Sequence, residues 1–471
     1  MFKKVLVANR GEIATRIIRS CKELGIKTAA IYSEADSTAL HVKKADESYL
    51  VGPGPVAGYL NIHRIIDLAK EIGADAIHPG YGFLSENPKL PELCEKRGIT
   101  FIGPSSHAIS SMGDKSMARK MMIKAGVPVV PGTDNIQSED EALAFSDEAG
   151  FPIMVKATSG GGGRGLRVCR NKKELLENLK SAKSEAEAAF GSAEVFLEKY
   201  IENPHHIEFQ ILADNFGHTI HLGERDCSIQ RRHQKLVEIA PSLILTEELR
   251  KEMGEVAVRA ARAVNYSNAG TIEFLVDKEM NYYFIEMNTR LQVEHTVTEV
   301  VTGIGLVRKQ IEIAAGKPLT LKQEDIAIRG YAIECRINAE DPKKNFVPNI
   351  GRVTAYYSPG GPGVRIDGCV YKDYVIPPYY DSMIAKLICS GMTWEEAISR
   401  MRRSLDEFVV RGVKTTIPFH YKIMTDEEFQ KGEFDTGFLD RRQDLLDYKE
   451  HRSRTDLVIA ISAAIAAYEG F

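Results

Sequence analysis

The chain has 471 residues, 44% of them hydrophobic and 27% charged, and its 61 basic and 65 acidic side chains leave a net charge of −4. That length has room for two to four domains, and the near-balance of charge excludes the basic field that holds nucleic acid. Seven scattered cysteines without a C-x-x-C pair exclude a zinc ribbon or a disulfide framework and fit a reducing cytoplasm, and no stretch approaches the ~20 apolar residues of a membrane span. Asn9-Arg10 cuts the first apolar run too short for a signal peptide. Residues 4–8 read as a buried strand, 11–24 as a helix, 27–32 as a strand, 59–72 as a helix and 74–78 as a strand. This alternation predicts a parallel sheet flanked by helices, with ligands beyond the carboxyl ends of its strands. Asn9-Arg10-Gly11-Glu12 and His78-Pro79-Gly80-Tyr81-Gly82-Phe83 fall at such ends, each either a tight turn or part of a site. Lys115 opens a helix over 116–125, where an anion is favoured, and Val127 to Gly132 reads as a linker.

From Phe151 to Tyr200 the pattern is strand 153–158, glycine loop, strand 166–170, helix 173–190 and strand 194–200. Gly160, Gly162 and Gly165 satisfy G-x-G-x-x-G, but a strand follows where a dinucleotide fingerprint needs a helix. The loop therefore reads as a flap whose free N–H groups can meet phosphate oxygens. No P-loop pattern occurs. Lys156, mid-strand among apolar neighbours, is a second phosphate candidate, and Glu198 to Ile201 a candidate adenine-facing hinge.

The segment Phe284 to His295 carries Glu286, Asn288, Arg290, Gln292 and Glu294 at every second position, with Ile285, Met287, Leu291 and Val293 between. In an extended chain the polar set shares one face. Two carboxylates, two amides and a guanidinium there suit a metal and a small anion. Gly270 to Val276 reads as the preceding strand, and folding about Asp277–Asn281 sets Glu273 opposite Glu286. Facing carboxylates repel, and a bound Mg²⁺ reverses that sign. A straight strand holding all five groups would span ~27 Å at about 3.3 Å per residue, so the chain is expected to bend near Arg290.

At these motifs the sequence resembles the biotin carboxylases of the ATP-grasp superfamily, over residues 1 to 446. Ala8 to Ala14, His78 to Phe83, Met112 to Lys115, Gly160 to Gly165, Glu224 to Ser228, Gln230 to Lys235, Phe284 to His295 and Glu334 to Asp341 carry the resemblance. It implies α/β and α+β architecture: a Rossmann-like N-terminal domain (1–114), an ATP-grasp domain (115–325, lid about 131–203) and a C-terminal domain (326–446). Residues 447–471 remain as a tail, a candidate docking helix. The implied reaction phosphorylates bicarbonate with ATP to carboxyphosphate and passes the carboxyl group to N1 of biotin. The resemblance assigns ATP phosphates to Lys115, Lys156 and the loop Gly160, Gly161, Gly162 and Gly163. It places Glu198, Lys199 and Ile201 at the adenine edge, and His206, Gln230 and His233 in the nucleotide pocket. Mg²⁺ (or Mn²⁺) falls to Glu273, Glu286 and Asn288. Bicarbonate falls to Lys235, Arg290, Gln292 and the Val293 backbone. Glu294 is the expected base, and Arg336 the expected partner of the biotin enolate.

Two positions depart from the family pattern: Thr296 stands where Pro is common, and Leu291 where Ile is usual. Neither removes a ligand, and Thr296 is expected to loosen the chain beyond the base. No Ala-Met-Lys-Met biotin-attachment motif is present. The expected partner is thus a biotin carrier or carrier/carboxyltransferase subunit supplying biotin in trans, with a cytoplasmic homodimer implied. The tail resembles those of two-subunit pyruvate-type carboxylases, making pyruvate the leading acceptor ahead of acetyl-CoA, propionyl-CoA and 2-oxoglutarate. A carbamoyl-phosphate-forming ligase would leave Lys235 and Arg336 unexplained. An NAD-dependent oxidoreductase would need a glycine fingerprint after the first strand. A non-catalytic ATP-binding protein should lack Glu294 or Arg336.

Overall fold

A computed structural model describes residues 1–157, 166–190, 194–448 and 454–469. Strands Lys4–Val7, Lys27–Tyr32, Glu47–Leu50, Ala76–His78 and Thr100–Phe101 form one parallel sheet. Alternation along its central strand divides the core. Val5 and Val7 pack with Ile13, Ile17 and Ile18 of helix Gly11–Glu23, while Leu6 packs with Ile65 and Leu68 of helix Ile62–Glu71. Glu47–Leu50 and Thr100–Phe101 are strands the sequence reading lacks. The first is half-exposed at the sheet edge and the second is two residues long, so neither has an apolar run. At the carboxyl ends, Asn9 Nδ2 donates to the carbonyls of Pro79 (2.6 Å) and Tyr81 (2.7 Å). Gly80 between them has φ +64°, and a Cβ there would meet Asn9 Nδ2 at 2.9 Å. Only glycine suits that approach.

A second sheet has eight strands, in the order Tyr282–Asn288, Asn268–Val276, His205–Ala213, Thr219–Arg231, Gln234–Ala240, Tyr331–Asn338, Met383–Gly391 and Val364–Gly368. All its pairings are antiparallel. The backbone ladder crosses the boundary expected near residue 325, through Gln234–Ala240 beside Tyr331–Asn338. Phe209, Ile272 and Phe274 cover one face with Met253, Ala257 and Ala260 of helix Glu247–Ala263. Apolar residues alternate there with the polar set His206, Glu208, Gln210, Thr271 and Glu273 on the other face.

A separate three-stranded sheet places Ile153–Ala157 between Leu166–Cys169 and Val195–Lys199, with helix Lys172–Phe190 beside it. Gly160, Gly161, Gly162 and Gly163 lie outside the described residues. The tail forms helix Arg454–Glu469, on which Val458, Ile459, Ile461, Ile465 and Tyr468 are exposed. Among the described residues no helix is long and apolar enough to cross a membrane.

Candidate active site

A cleft of about 1670 Å³ runs between the carboxyl ends of the parallel sheet, the polar face of the eight-stranded sheet and the three-stranded unit. Every described residue that the sequence singles out for a site lines it, from Lys115 to Arg336. The hairpin sets Glu273 opposite Glu286, with a register shift at Phe274. Strand geometry ends at Asn288 and a helix begins at His295. Between them the chain turns inward. The Arg290 guanidinium gathers Asn288 Oδ1 (2.9 Å), Gln292 Oε1 (3.1 Å) and Glu86 (3.0 Å). This bend brings the alternating groups into one site instead of a line.

Glu273 is the hub. It accepts hydrogen bonds from Asn288 (2.7 Å), Gln292 (2.6 Å) and Lys235 (3.1 Å), and its other oxygen pairs with His206 Nε2 (2.6 Å). Burial alone would raise its pKa, but Lys235 and His206 outweigh it and hold the carboxyl well below the usual range. Glu286 opens into the cleft and shifts the other way, raised by the facing Glu273 and by burial. One ionised and one reluctant carboxylate, with Asn288 beside them, form an oxygen donor set that a hard divalent cation satisfies. His206, Glu208 and Glu273 also converge closely enough for a metal, but Glu208 is bound to two cations.

Lys235 stands between Glu273 and Glu294. Its ammonium donates to Glu208 (2.5 Å) and Glu294 (2.7 Å) as well as to Glu273. The other Glu294 oxygen accepts from Arg336 Nη2 at 3.0 Å, and Arg336 Nε donates to Glu238 at 2.5 Å. Burial would raise the Glu294 carboxyl, yet Lys235, Arg336 and Arg225 drive it far down. Glu238 goes up to about 7, because burial outweighs Arg336.

At the other end of the cleft, Lys156 pairs with Glu198, the residue expected at the adenine edge. Lys199 directs its ammonium to the carbonyls of Gly150 (3.1 Å) and Phe151 (3.0 Å). Gln230 Nε2 donates to His206 Nδ1 at 2.7 Å, which leaves Nε2 of that ring as the protonated nitrogen facing Glu273. His233 lies with Arg232 in a turn where both have positive φ, a conformation costly for side-chain-bearing residues. Lys115 is exposed at the N-terminus of helix Lys115–Lys124 and contributes to the field on Glu286.

Several members of the site have no role assigned from the sequence. Arg225 is fully buried and binds Glu208, Gln210 (2.7 Å) and Thr298 (2.9 Å). His206, Glu208 and Gln210 repeat at every second position, the same signal that exposes Glu286 to Glu294, so Glu208 is accessible to that reasoning. Glu86 and Glu238 show no such local signal. The Thr296 expectation is corrected. Thr296 is fully buried inside helix His295–Thr302, and its hydroxyl donates to the buried Glu334, so it ties the chain down. Arg10, in the first strand-end motif, pairs with Asp36 (2.8 Å) and lies over the Tyr380 ring at 3.7 Å. Cys227 is buried and free, 4.0 Å from Glu294.

Residues 1–109 match the model of the biotin carboxylase N-terminal domain, and 334–441 that of the biotin carboxylase C-terminal domain. Residues 114–322 match the ATP-binding domain of the carbamoyl-phosphate synthase L chain. The 2-oxoglutarate carboxylase small subunit of Hydrogenobacter thermophilus is 58% identical over 471 residues, 100% of both chains. One of the pyruvate carboxylase subunits of Methanothermobacter thermautotrophicus is 54% identical and covered to 99%, as is this chain. A crystal structure of the Hydrogenobacter thermophilus 2-oxoglutarate carboxylase biotin carboxylase domain dimer, in complex with MgADP, ADP and bicarbonate, superposes with a TM-score of 0.91. It is 57% identical and covers 96% of this chain and 100% of its own.

Proposed function

The chain belongs to the biotin carboxylases, and on that footing we propose that this cleft activates bicarbonate with ATP and carboxylates a biotin carried on another polypeptide. Glu273, Glu286 and Asn288 hold Mg²⁺, which neutralises phosphate charge when bound. Lys115, Lys156 and the glycine loop take the phosphates. Glu198, Lys199, Ile201, His206, Gln230 and His233 surround the nucleoside. Lys235, Arg290, Gln292 and the Val293 backbone receive bicarbonate. Glu294 is the base, and Arg336 meets the biotin enolate.

The observation that carries this reading is Lys235 at 3.1 Å from Glu273 and 2.7 Å from Glu294. One cation joins the metal end to the base end. Held by Lys235, Arg336 and Arg225, Glu294 is too well stabilised as an anion to take a proton readily. Bicarbonate draws Lys235 and Arg290 toward itself, and the Glu294 carboxyl rises. Glu294 then takes the bicarbonate proton. The resulting dianion attacks the γ-phosphorus and ADP leaves, giving carboxyphosphate. Arg336, pinned between Glu238 and Glu294, presents its remaining N–H groups to the biotin oxygen as biotin N1 gives its proton to the phosphate released from carboxyphosphate and takes the carboxyl group.

We read the acceptor as a 2-oxo acid, pyruvate first. Both full-length relatives named above belong to 2-oxo acid carboxylases, and they match this chain through its tail. The exposed apolar side chains of helix Arg454–Glu469 are the proposed contact with the carrier polypeptide. A homodimer is proposed by likeness to the dimeric domain structure. The test is ADP release measured with and without bicarbonate and free biotin. Release should require bicarbonate and rise with biotin, and release indifferent to both would overturn the reading.

A further inference from the structure

Lys386 has no part in these steps, yet it is among the largest fully buried side chains in the molecule. It lies on strand Met383–Gly391, directly across the ladder from Arg336 on one side and from Asp367 on the other. A lysine so placed is rarely left unpaired. Its ammonium lies 3.2 Å from Glu12, on helix Gly11–Glu23, and donates to the Val293 carbonyl at 2.8 Å. Glu12 also accepts from the Tyr81 hydroxyl. Burial favours the neutral amine, but Glu12, Glu334 and Asp367 outweigh it and the ammonium is retained.

The bond to Val293 acts on Glu294. The Val293 carbonyl belongs to a rigid plane that also contains the Glu294 Cα. Holding that oxygen therefore holds the backbone from which the base projects. The carboxylate end is held by Lys235 and Arg336. Arg336 and Lys386, two cations facing each other across a ladder, would repel. They turn instead to two neighbouring groups, Arg336 to the side chain of Glu294 and Lys386 to the Val293 carbonyl of the peptide that precedes it. The anchor for Lys386 comes from the parallel-sheet region, so the base is referenced to three separate parts of the chain.

We propose that Lys386 is a positioning residue for the base, fixing the Val293–Glu294 peptide plane from behind the bicarbonate site. The inference rests on the reading of Glu294 as the base. Its test is Lys386→Met, together with Lys386→Met/Glu12→Gln, which removes both buried charges so that neither is stranded. Bicarbonate-dependent ATP cleavage should fall in kcat by about 10²-fold, the cost of a misplacement near 1 Å, while ADP affinity by calorimetry stays at the wild-type value. Lys386→Met added to Glu294→Gln should slow turnover no further, since both act through one group. Wild-type kcat in the double variant, or ADP affinity falling in step with kcat, would overturn the proposal. A full additional loss on the Glu294→Gln background would also overturn it. Unaltered turnover in Glu294→Gln alone would instead overturn the base assignment.

Discussion

Lys235→Met separates the two ends that Lys235 joins. The wild-type side chain is 13% exposed and contacts three carboxylates at 2.5, 2.7 and 3.1 Å. Methionine keeps the stem and removes the ammonium. Bicarbonate then loses one charge-assisted hydrogen bond, worth about 1.5–3 kcal/mol, or about 10–150-fold in affinity. The effect at Glu273 has the opposite sign. On the proposed metal assignment, Lys235 competes with the cation for that carboxylate, through an attraction of about 5 kcal/mol at 3.1 Å and an effective dielectric near 20. Only part of that is recovered, because His206, Asn288 and Gln292 remain on the same oxygens. We expect Mg²⁺ affinity in the presence of ADP to tighten by about tenfold, the lower bound of one such bond. Initial rates against bicarbonate at saturating MgATP and biotin measure the first effect, and calorimetric Mg²⁺ titration of the ADP complex the second. Thermal unfolding should register the stranded carboxylates as a loss of about 3–5 kcal/mol. Mg²⁺ affinity that weakens together with bicarbonate affinity would refute the division of the site.

Two further predictions concern other parts of the molecule. Deleting residues 450–471 should abolish association with the carrier polypeptide, measured by analytical ultracentrifugation of the mixture, while ATP cleavage with free biotin persists; retained assembly refutes the docking role of the tail. His420, whose ring donates to the Arg336 carbonyl at 2.7 Å, is pushed down to about 4 by burial. Unfolded chains bind that proton below about pH 6.5, so the His420 share of stability is full above that pH and lost as pH falls toward 4, by up to about 1.4 kcal/mol per unit. His420→Gln should flatten the pH dependence of Tm in that window, and an unchanged slope counts against the burial argument.

Much of the fold is legible in the sequence because the local patterns are strong. The βαβ alternation of residues 4–78 predicts the parallel sheet, and its two missing strands are short or half-exposed. Period-two polarity in 284–288 and the break at 277–281 are enough to face Glu273 with Glu286. The same logic applied to residues 205–213 finds Glu208. The Thr296 expectation fails because the role of that hydroxyl depends on Glu334, 38 residues away, and nothing near Thr296 announces that partner.

The sequence by itself determined which residues alternate onto the polar face and where the strand must end, because side-chain parity and turn chemistry are properties of a few neighbouring residues. Only the tertiary structure decided how charges are shared. Glu273 serves four donors drawn from distant chain segments, and Glu294, the proposed base, is held by Lys235 and Arg336, with Lys386 on the carbonyl of the preceding residue. The physical reason is the strand order. Asn268–Val276 pairs with His205–Ala213, and Gln234–Ala240 with Tyr331–Asn338, so residues dozens of positions apart become neighbours on one buried face. There, low dielectric makes each pairing strong and each orphan costly, and which cation meets which carboxylate is settled by register within the sheet and, for Glu294 and Glu12, by the loop and helix packed against it.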